Sequence, residues 1–149
     1  MRRLLRAGLL FMLLAPSLLG LLRPTLAGLD PGTLDTGFDP GAGPDDLVRA
    51  LALQMDGSIV VAGRFDNVDG TARDRIARLE ADGAHDSFYF GSPTGANGTI
   101  IVIALQKDDK ILIGGAFTTY DATARNRIAR LTATGALDAG FNPGAGAND

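Results

Sequence analysis

The chain has no cysteine and no tryptophan, and among its 149 residues it has one histidine and two tyrosines. Without cysteine there are no disulfides, no thiolate nucleophile and no thiolate metal site. His85 stands alone, so no second imidazole can share a metal or a proton with it. It also aligns with Leu34 and Leu137 in the repeats described below, which marks its position as structural. Long apolar runs are scarce as well. The one that exists, residues 7–22, follows MRRLLR and ends at Arg23-Pro24. Its 16 residues rise about 1.5 Å each in a helix, roughly 24 Å in all, short of a ~30 Å hydrocarbon core. A basic start, an apolar stretch and small residues at Thr25 and Ala27 read as an export signal over 1–27, with an uncleaved anchor as the alternative. Without Arg2, Arg3, Arg6 and Arg23, 10 of the 14 basic residues remain against 17 acidic ones. Such an acidic chain is a poor partner for nucleic acid, and the membrane enters only through the signal segment.

Glycine, by contrast, is abundant, with 20 residues, and β-branched runs alternate with it. That combination leans toward an all-β fold rich in turns. The main fact is a repeat. LALQMDGSIVVAGRF (51–65) matches IALQKDDKILIGGAF (103–117) at an offset of 52 residues, and 18 of 32 aligned positions are identical between 53–84 and 105–136. LDTGFDPGAG (34–43), HDSFYFGSPTG (85–95) and LDAGFNPGAG (137–146) form a second matched set. The chain therefore divides into a signal peptide (1–27), a short linker (28–33), repeat unit 1 (34–84), repeat unit 2 (85–136) and the start of a third (137–149).

Within a unit the periodicity is that of strands. VRALALQ (48–54) or IVIALQK (101–107), a turn at 55–58 or 107–110, and then IVVAG or ILIGG make a hairpin. A polar loop follows, then RIARL, a further turn, and a short segment around Phe38, Tyr89 or Phe141. Three strands and a short fourth about every 52 residues have the length and content of one β-propeller blade. RIARL is expected to be the third strand, with Arg75, Ala77 and Leu79 on one face and Ile76 and Arg78 on the other, neither face cleanly apolar. A helix over RDRIARLEA is the alternative reading. The predicted fold class is all-β, with antiparallel propeller-type blades in an incomplete ring behind a helical signal peptide.

VRALALQMDGSIVVAGRF with DRIARLEADGAHDSFYF, and IVIALQKDDKILIGGAF with NRIARLTATGALDAGFNP, resemble the delta-60 repeat, a repeat of exported bacterial proteins with β-propeller-like folds. The resemblance covers residues 34–149 and departs from the pattern at Asp109, where a turn glycine is expected, and at His85. It implies architecture and export, and brings no catalytic residues with it.

Candidate chemistry is sparse. Asp66, Asn67 and Asp69 ahead of Gly70 resemble a calcium loop, but Phe65 and Ile76 stand where acidic ligands belong, so calcium is the weaker reading beside a solvated turn. Arg73, Arg75, Arg78, Arg125, Arg127 and Arg130 could line a groove for a polyanion or glycan. Their repetition in register favours pairing within each blade instead, with Asp45, Asp46, Asp74 and neighbouring carboxylates available as partners. Asn97-Gly98-Thr99 reads as a turn rather than a glycosylation site. No cofactor and no catalytic residue are expected. The expected role is a non-catalytic scaffold outside the cell whose partners are further blades of the same or a longer chain, surface proteins or glycans. The alternatives are the N-terminal part of a propeller-bearing hydrolase or lyase, or of a calcium-dependent adhesin.

Overall fold

The computed structural model describes residues 32–86 and 95–148. The expected signal over 1–27, most of the linker and the segment around Tyr89 lie outside them. Every strand among the described residues lies in one compact unit, residues 35–149. Among the described residues there are ten strands, there is no helix, and hence nothing helical is long and apolar enough to cross a membrane.

Repeat 1 supplies β1 (Val48–Leu53), β2 (Ile59–Gly63), β3 (Asn67–Val68), β4 (Thr71–Ala72) and β5 (Ile76–Leu79). Repeat 2 supplies the equivalent β6 (Ile100–Leu105), β7 (Ile111–Gly115), β8 (Thr119–Tyr120), β9 (Thr123–Ala124) and β10 (Ile128–Leu131). Each repeat folds into an antiparallel three-stranded sheet, ordered β1-β2-β5 and β6-β7-β10, plus a two-stranded hairpin, β3-β4 or β8-β9. The apolar runs IVVAG and ILIGG form the central strands: IVVAG is buried on both faces, and ILIGG buries Ile111 and Ile113 while Leu112 and Gly114 stay half-buried. The IARL part of RIARL forms the third strand, as expected, and not a helix.

Local chemistry fixes the sheet corners. Between β1 and β2 the Gln54 N–H donates to the Ser58 carbonyl, and the closing residue of the loop, Gly57, takes φ +89°. The same turn recurs at 80–84 with Gly83 at φ +93° and at 132–136 with Gly135 at φ +82°. These are three-residue loops closed by a left-handed residue. In repeat 2 the first of these positions is Asp109, which adopts φ +58° without glycine's freedom. Opposite the start of β1 the register shifts between Val48 and Ala50, and β6 shifts between Ile100 and Val102. The facing residues are Gly63 and Gly115, where an added Cβ would sit 1.9 Å from the Leu47 carbonyl oxygen or 2.2 Å from that of Thr99. Only glycine lets the backbones approach so closely at this bulge.

Two expectations need correction. The first is the alternation in RIARL. Arg75 and Arg127 hold left-handed φ angles of +68° and +64°, so each arginine precedes its strand instead of joining it. Ala77 and Leu79 then pair with Val61 and Ile59 on one fully apolar face, while Ile76 and Arg78 pair with Ala62 and Val60 on the other. The second is the short fourth strand. Among the described residues it is reduced to single bridges, Leu79 with His85 and Leu131 with Leu137.

The core has two parts. Val61, Phe65, Val68, Ala77 and Leu79 cluster on one face of sheet 1 beneath its own β3-β4 hairpin. On the opposite face, Val60, Ala62 and Ile76 join Ile100, Ile111, Ile113, Phe117, Tyr120 and Leu131 of repeat 2 in a larger cluster. The two sheets thus pack face to face, with β1 and β2 against β6. This is an array of propeller-type blades that does not close on itself.

Candidate functional site

The hairpin beyond each central strand is held by one side chain. Asp45 Oδ1 accepts from the backbone N–H groups of Asp66 (2.9 Å) and Asn67 (3.0 Å), and Oδ2 accepts from the Asn67 side-chain amide (2.7 Å). Fifty-two residues on, Asn97 Oδ1 accepts from Thr118 N (2.8 Å) and Thr119 N (2.9 Å), and its amide donates to Thr118 Oγ1 (2.8 Å). These contacts, the Asn67 side-chain amide foremost, lower the Asp45 pKa below its ordinary 3.8. The sequence reading placed Asp45 beside an arginine and Asn97 in a plain turn. Asn97 does lie in a bend, and both side chains clasp the hairpin. The signal that could have found them is an oxygen acceptor at equivalent positions just after each glycine-rich cluster.

The six arginines are distributed rather than gathered. Arg78 Nε donates to Asp86 Oδ2 at 2.8 Å, and Arg130 Nε to Asp138 Oδ2 at 2.9 Å, the same eight-residue spacing in both repeats. Arg130 also lies 5.0 Å from the centre of the Phe141 ring. The Gly140 backbone N–H and then Arg130 hold the Asp138 carboxylate below its ordinary pKa. Arg73 and Arg125 each turn back, donating from Nη1 to the preceding carbonyls of Ala72 and Ala124 at 2.7 Å. Arg75 pairs with Asp66 and lies 3.8 Å from Asp74. Arg127 lines a recess with Thr118 and Asn126. Of the three carboxylates named from the sequence, Asp74 lies near these arginines, whereas Asp46 pairs with Arg64 at 2.8 Å.

The calcium candidates are not brought to one point. Asp66 faces Arg75, Asn67 donates to Asp45, and Asp69 accepts from Ala42 N at 3.2 Å through Oδ1. Among the described residues no group of three acidic or imidazole side chains is arranged to hold a metal ion.

One polar recess draws on residues the repeat does not keep, since Leu137 stands at the position of His85. Asp39, Asp69, Thr71 and His85 border an open concavity of about 400 Å³. Burial, and then the Arg73 charge, lower the His85 pKa from 6.5, so the ring is neutral at pH 7. Spacing alone did not reveal this grouping, because Asp39 and His85 belong to different copies of the same motif.

The remaining candidate surfaces are apolar. On sheet 1, Leu51 and Leu53 are 69% and 66% exposed. On sheet 2, Val102, Ala104, Leu112, Gly114 and Ile128 border a recess of about 250 Å³.

Comparison with known proteins agrees with this architecture. A family model described as "Domain of unknown function (DUF5122) beta-propeller" matches residues 54–88 and again 106–141, one match per repeat. No curated protein and no solved structure matches the chain.

Proposed function

We propose that this propeller repeat protein is an exported, non-catalytic scaffold of the delta-60 kind, which presents blade surfaces to proteins or glycans outside the cell. The observation that carries this reading is the use of charge in the blade. Arg78–Asp86 and Arg130–Asp138 form at the same place in both repeats, so these groups serve the fold and not a ligand. Function therefore belongs to the surface of the assembled blades, and the chain's apolar leader provides the route out of the cytoplasm. Fold by itself carries no activity.

Fractionation of cells producing the full chain tests the export half: the chain is expected outside the cytoplasm, and a wholly cytoplasmic chain overturns it. The non-catalytic half is tested at the polar recess beside His85. Turnover of glycoside or uronate polymers that is lost in His85→Ala and Asp39→Asn would replace the scaffold with an enzyme. No turnover is expected.

A further inference from the structure

The chain holds one Asn-Gly pair, Asn97-Gly98, and its four other asparagines precede valine, arginine, proline and aspartate. Glycine leaves its own backbone nitrogen unshielded, and attack of that nitrogen on the preceding side-chain carbonyl carbon is how such asparagines lose ammonia. Packing imposes the glycine, because a Cβ at Gly98 would lie 2.7 Å from the Ala116 carbonyl oxygen. The asparagine is the hairpin clasp of repeat 2. Thr118 N and Thr119 N donate to its Oδ1 at 2.8 and 2.9 Å, and its amide donates to Thr118 Oγ1 at 2.8 Å. Its own backbone N–H donates to the Thr119 carbonyl at 3.2 Å, so side chain and main chain are both tied to residues 118–119. In repeat 1 a carboxylate holds the same place: Asp45 Oδ1 takes two hairpin N–H groups and Oδ2 takes the Asn67 amide. One clasp is built with the acid and the other with the amide that hydrolyses to it.

We propose that Asn97 is a self-modification site, which the clasp guards against reaction and whose aspartate product the clasp accommodates. The chemistry balances with water alone. The Gly98 nitrogen bonds to Asn97 Cγ and gives up its proton, the Cγ–Nδ2 bond breaks, and ammonia leaves with that proton. Water then opens the cyclic imide. Opening at the side-chain carbonyl restores the main chain with aspartate at 97, and opening at the main-chain carbonyl gives the β-linked isomer. Attack requires side chain and main chain to turn together, and the hydrogen bonds to 118–119 resist that turn, so reaction waits for local opening of the hairpin. A carboxylate at 97 still accepts from the Thr118 and Thr119 N–H groups, more strongly for its charge. The Thr118 hydroxyl, which accepts from the amide, turns to donate to the second oxygen. The β-linked product leaves its free carboxylate directly on Cα, one carbon short of the clasp. The inference is independent of export and of any ligand.

The test is ageing in warm, mildly alkaline buffer of the chain expressed in full and purified in whatever processed form the cell leaves. One arm is native and the other is in urea, and both are read by peptide mapping with mass spectrometry. In urea, conversion at Asn97 is expected ahead of the four other asparagines. In the native arm it is expected to be slower by about tenfold or more, because it follows hairpin opening. Thr118→Val removes the acceptor of the Asn97 amide and keeps both backbone donors. It is expected to speed native conversion with unchanged circular dichroism, since Thr118 is exposed. Asn97→Asp, the product made directly, is expected to keep the wild-type urea midpoint at neutral pH. No conversion in urea overturns the site itself. Equal rates in the two arms, or a Thr118→Val chain no faster than wild type, overturn the guard. An Asn97→Asp chain with a clearly lower midpoint overturns the accommodation of the product.

Discussion

Ala122 is the second residue of the two-residue turn joining β8 and β9, and it sits at φ +58° behind Asp121 at φ +47°. Two successive positive φ angles mark the type I′ hairpin turn, whose twist suits the strands but whose second position favours glycine. Repeat 1 has that glycine: Gly70 follows Asp69 at φ +71°. A left-handed conformation costs a residue with a Cβ about 1–2 kcal/mol. Glycine gives back about 0.5–1 kcal/mol of this through its larger unfolded-state entropy. Ala122→Gly should therefore stabilise the chain by about 0.5–1 kcal/mol. Packing does not blur the result, because Ala122 is exposed and buries no methyl group. Gly70→Ala is the reciprocal change, and nothing lies within 4 Å of the Cβ it would add. It should destabilise by a similar amount for backbone reasons alone. Urea denaturation of the two variants, followed by circular dichroism at constant m-value, measures both. Destabilisation by Ala122→Gly, or an unchanged midpoint in both variants, would refute the reasoning.

Other consequences follow from the buried polar groups. The Tyr120 hydroxyl is buried and donates to the Gly135 carbonyl at 2.7 Å, and burial pushes its phenol well above its usual pKa. Tyr120→Phe should cost about 1–2 kcal/mol by denaturant titration, whereas the equivalent Val68 shows that the position itself needs no hydroxyl. Asp86→Asn leaves the Arg78 guanidinium, 12% exposed, beside a neutral partner with its own carboxylate gone. A loss of about 2–4 kcal/mol is expected there, against no measurable loss for Asp46→Asn, whose partner Arg64 is 57% exposed. Because Asp45 has its folded pKa depressed below 3.8, its contribution is complete above that value and is lost as pH falls through the lower folded value. Melting temperature should accordingly drop below about pH 4, and Asp45→Asn, which loses the acceptor that the Asn67 amide donates to, should lower the neutral-pH stability and soften the acid drop. An acid profile identical in wild type and Asp45→Asn would show that the clasp carboxylate contributes nothing.

Much of this fold is legible in the sequence because the repeat doubles each weak signal. An apolar run such as IVVAG could be a buried helix segment, but with ILIGG at the same offset and an Asp-Gly or Asp-Asp turn before each, the hairpin is the consistent reading. The faces of RIARL were not legible. Simple alternation assumes extended backbone at Arg75, and the left-handed angle there is held by the Gly63–Arg75 and Arg75–Phe65 backbone hydrogen bonds, which join residues far apart in sequence. The β3-β4 hairpin was hidden in a stretch that composition marks as loop, since two-residue strands leave no periodicity to read. Asp45 and Asn97 escaped for a related reason: their work depends on which backbone N–H groups the hairpin turns toward them. Of the six arginines, Arg75, Arg78 and Arg130 lie against carboxylates, supplied by Asp66, Asp74, Asp86 and Asp138, while Arg73 and Arg125 turn back to backbone carbonyls.

The central claim is that each repeat is a blade and that opposite faces of successive blades meet. Methyl NOE spectroscopy tests it most directly, with a small fraction of labelled chain in an unlabelled excess so that only contacts within one chain register. Cross-peaks are predicted from the methyl groups of Val60 and Ile76 to those of Ile100, Ile111 and Ile113, which share one cluster. Cross-peaks from Val61 and Leu79 to those same isoleucines, with none from Val60 or Ile76, would contradict the account.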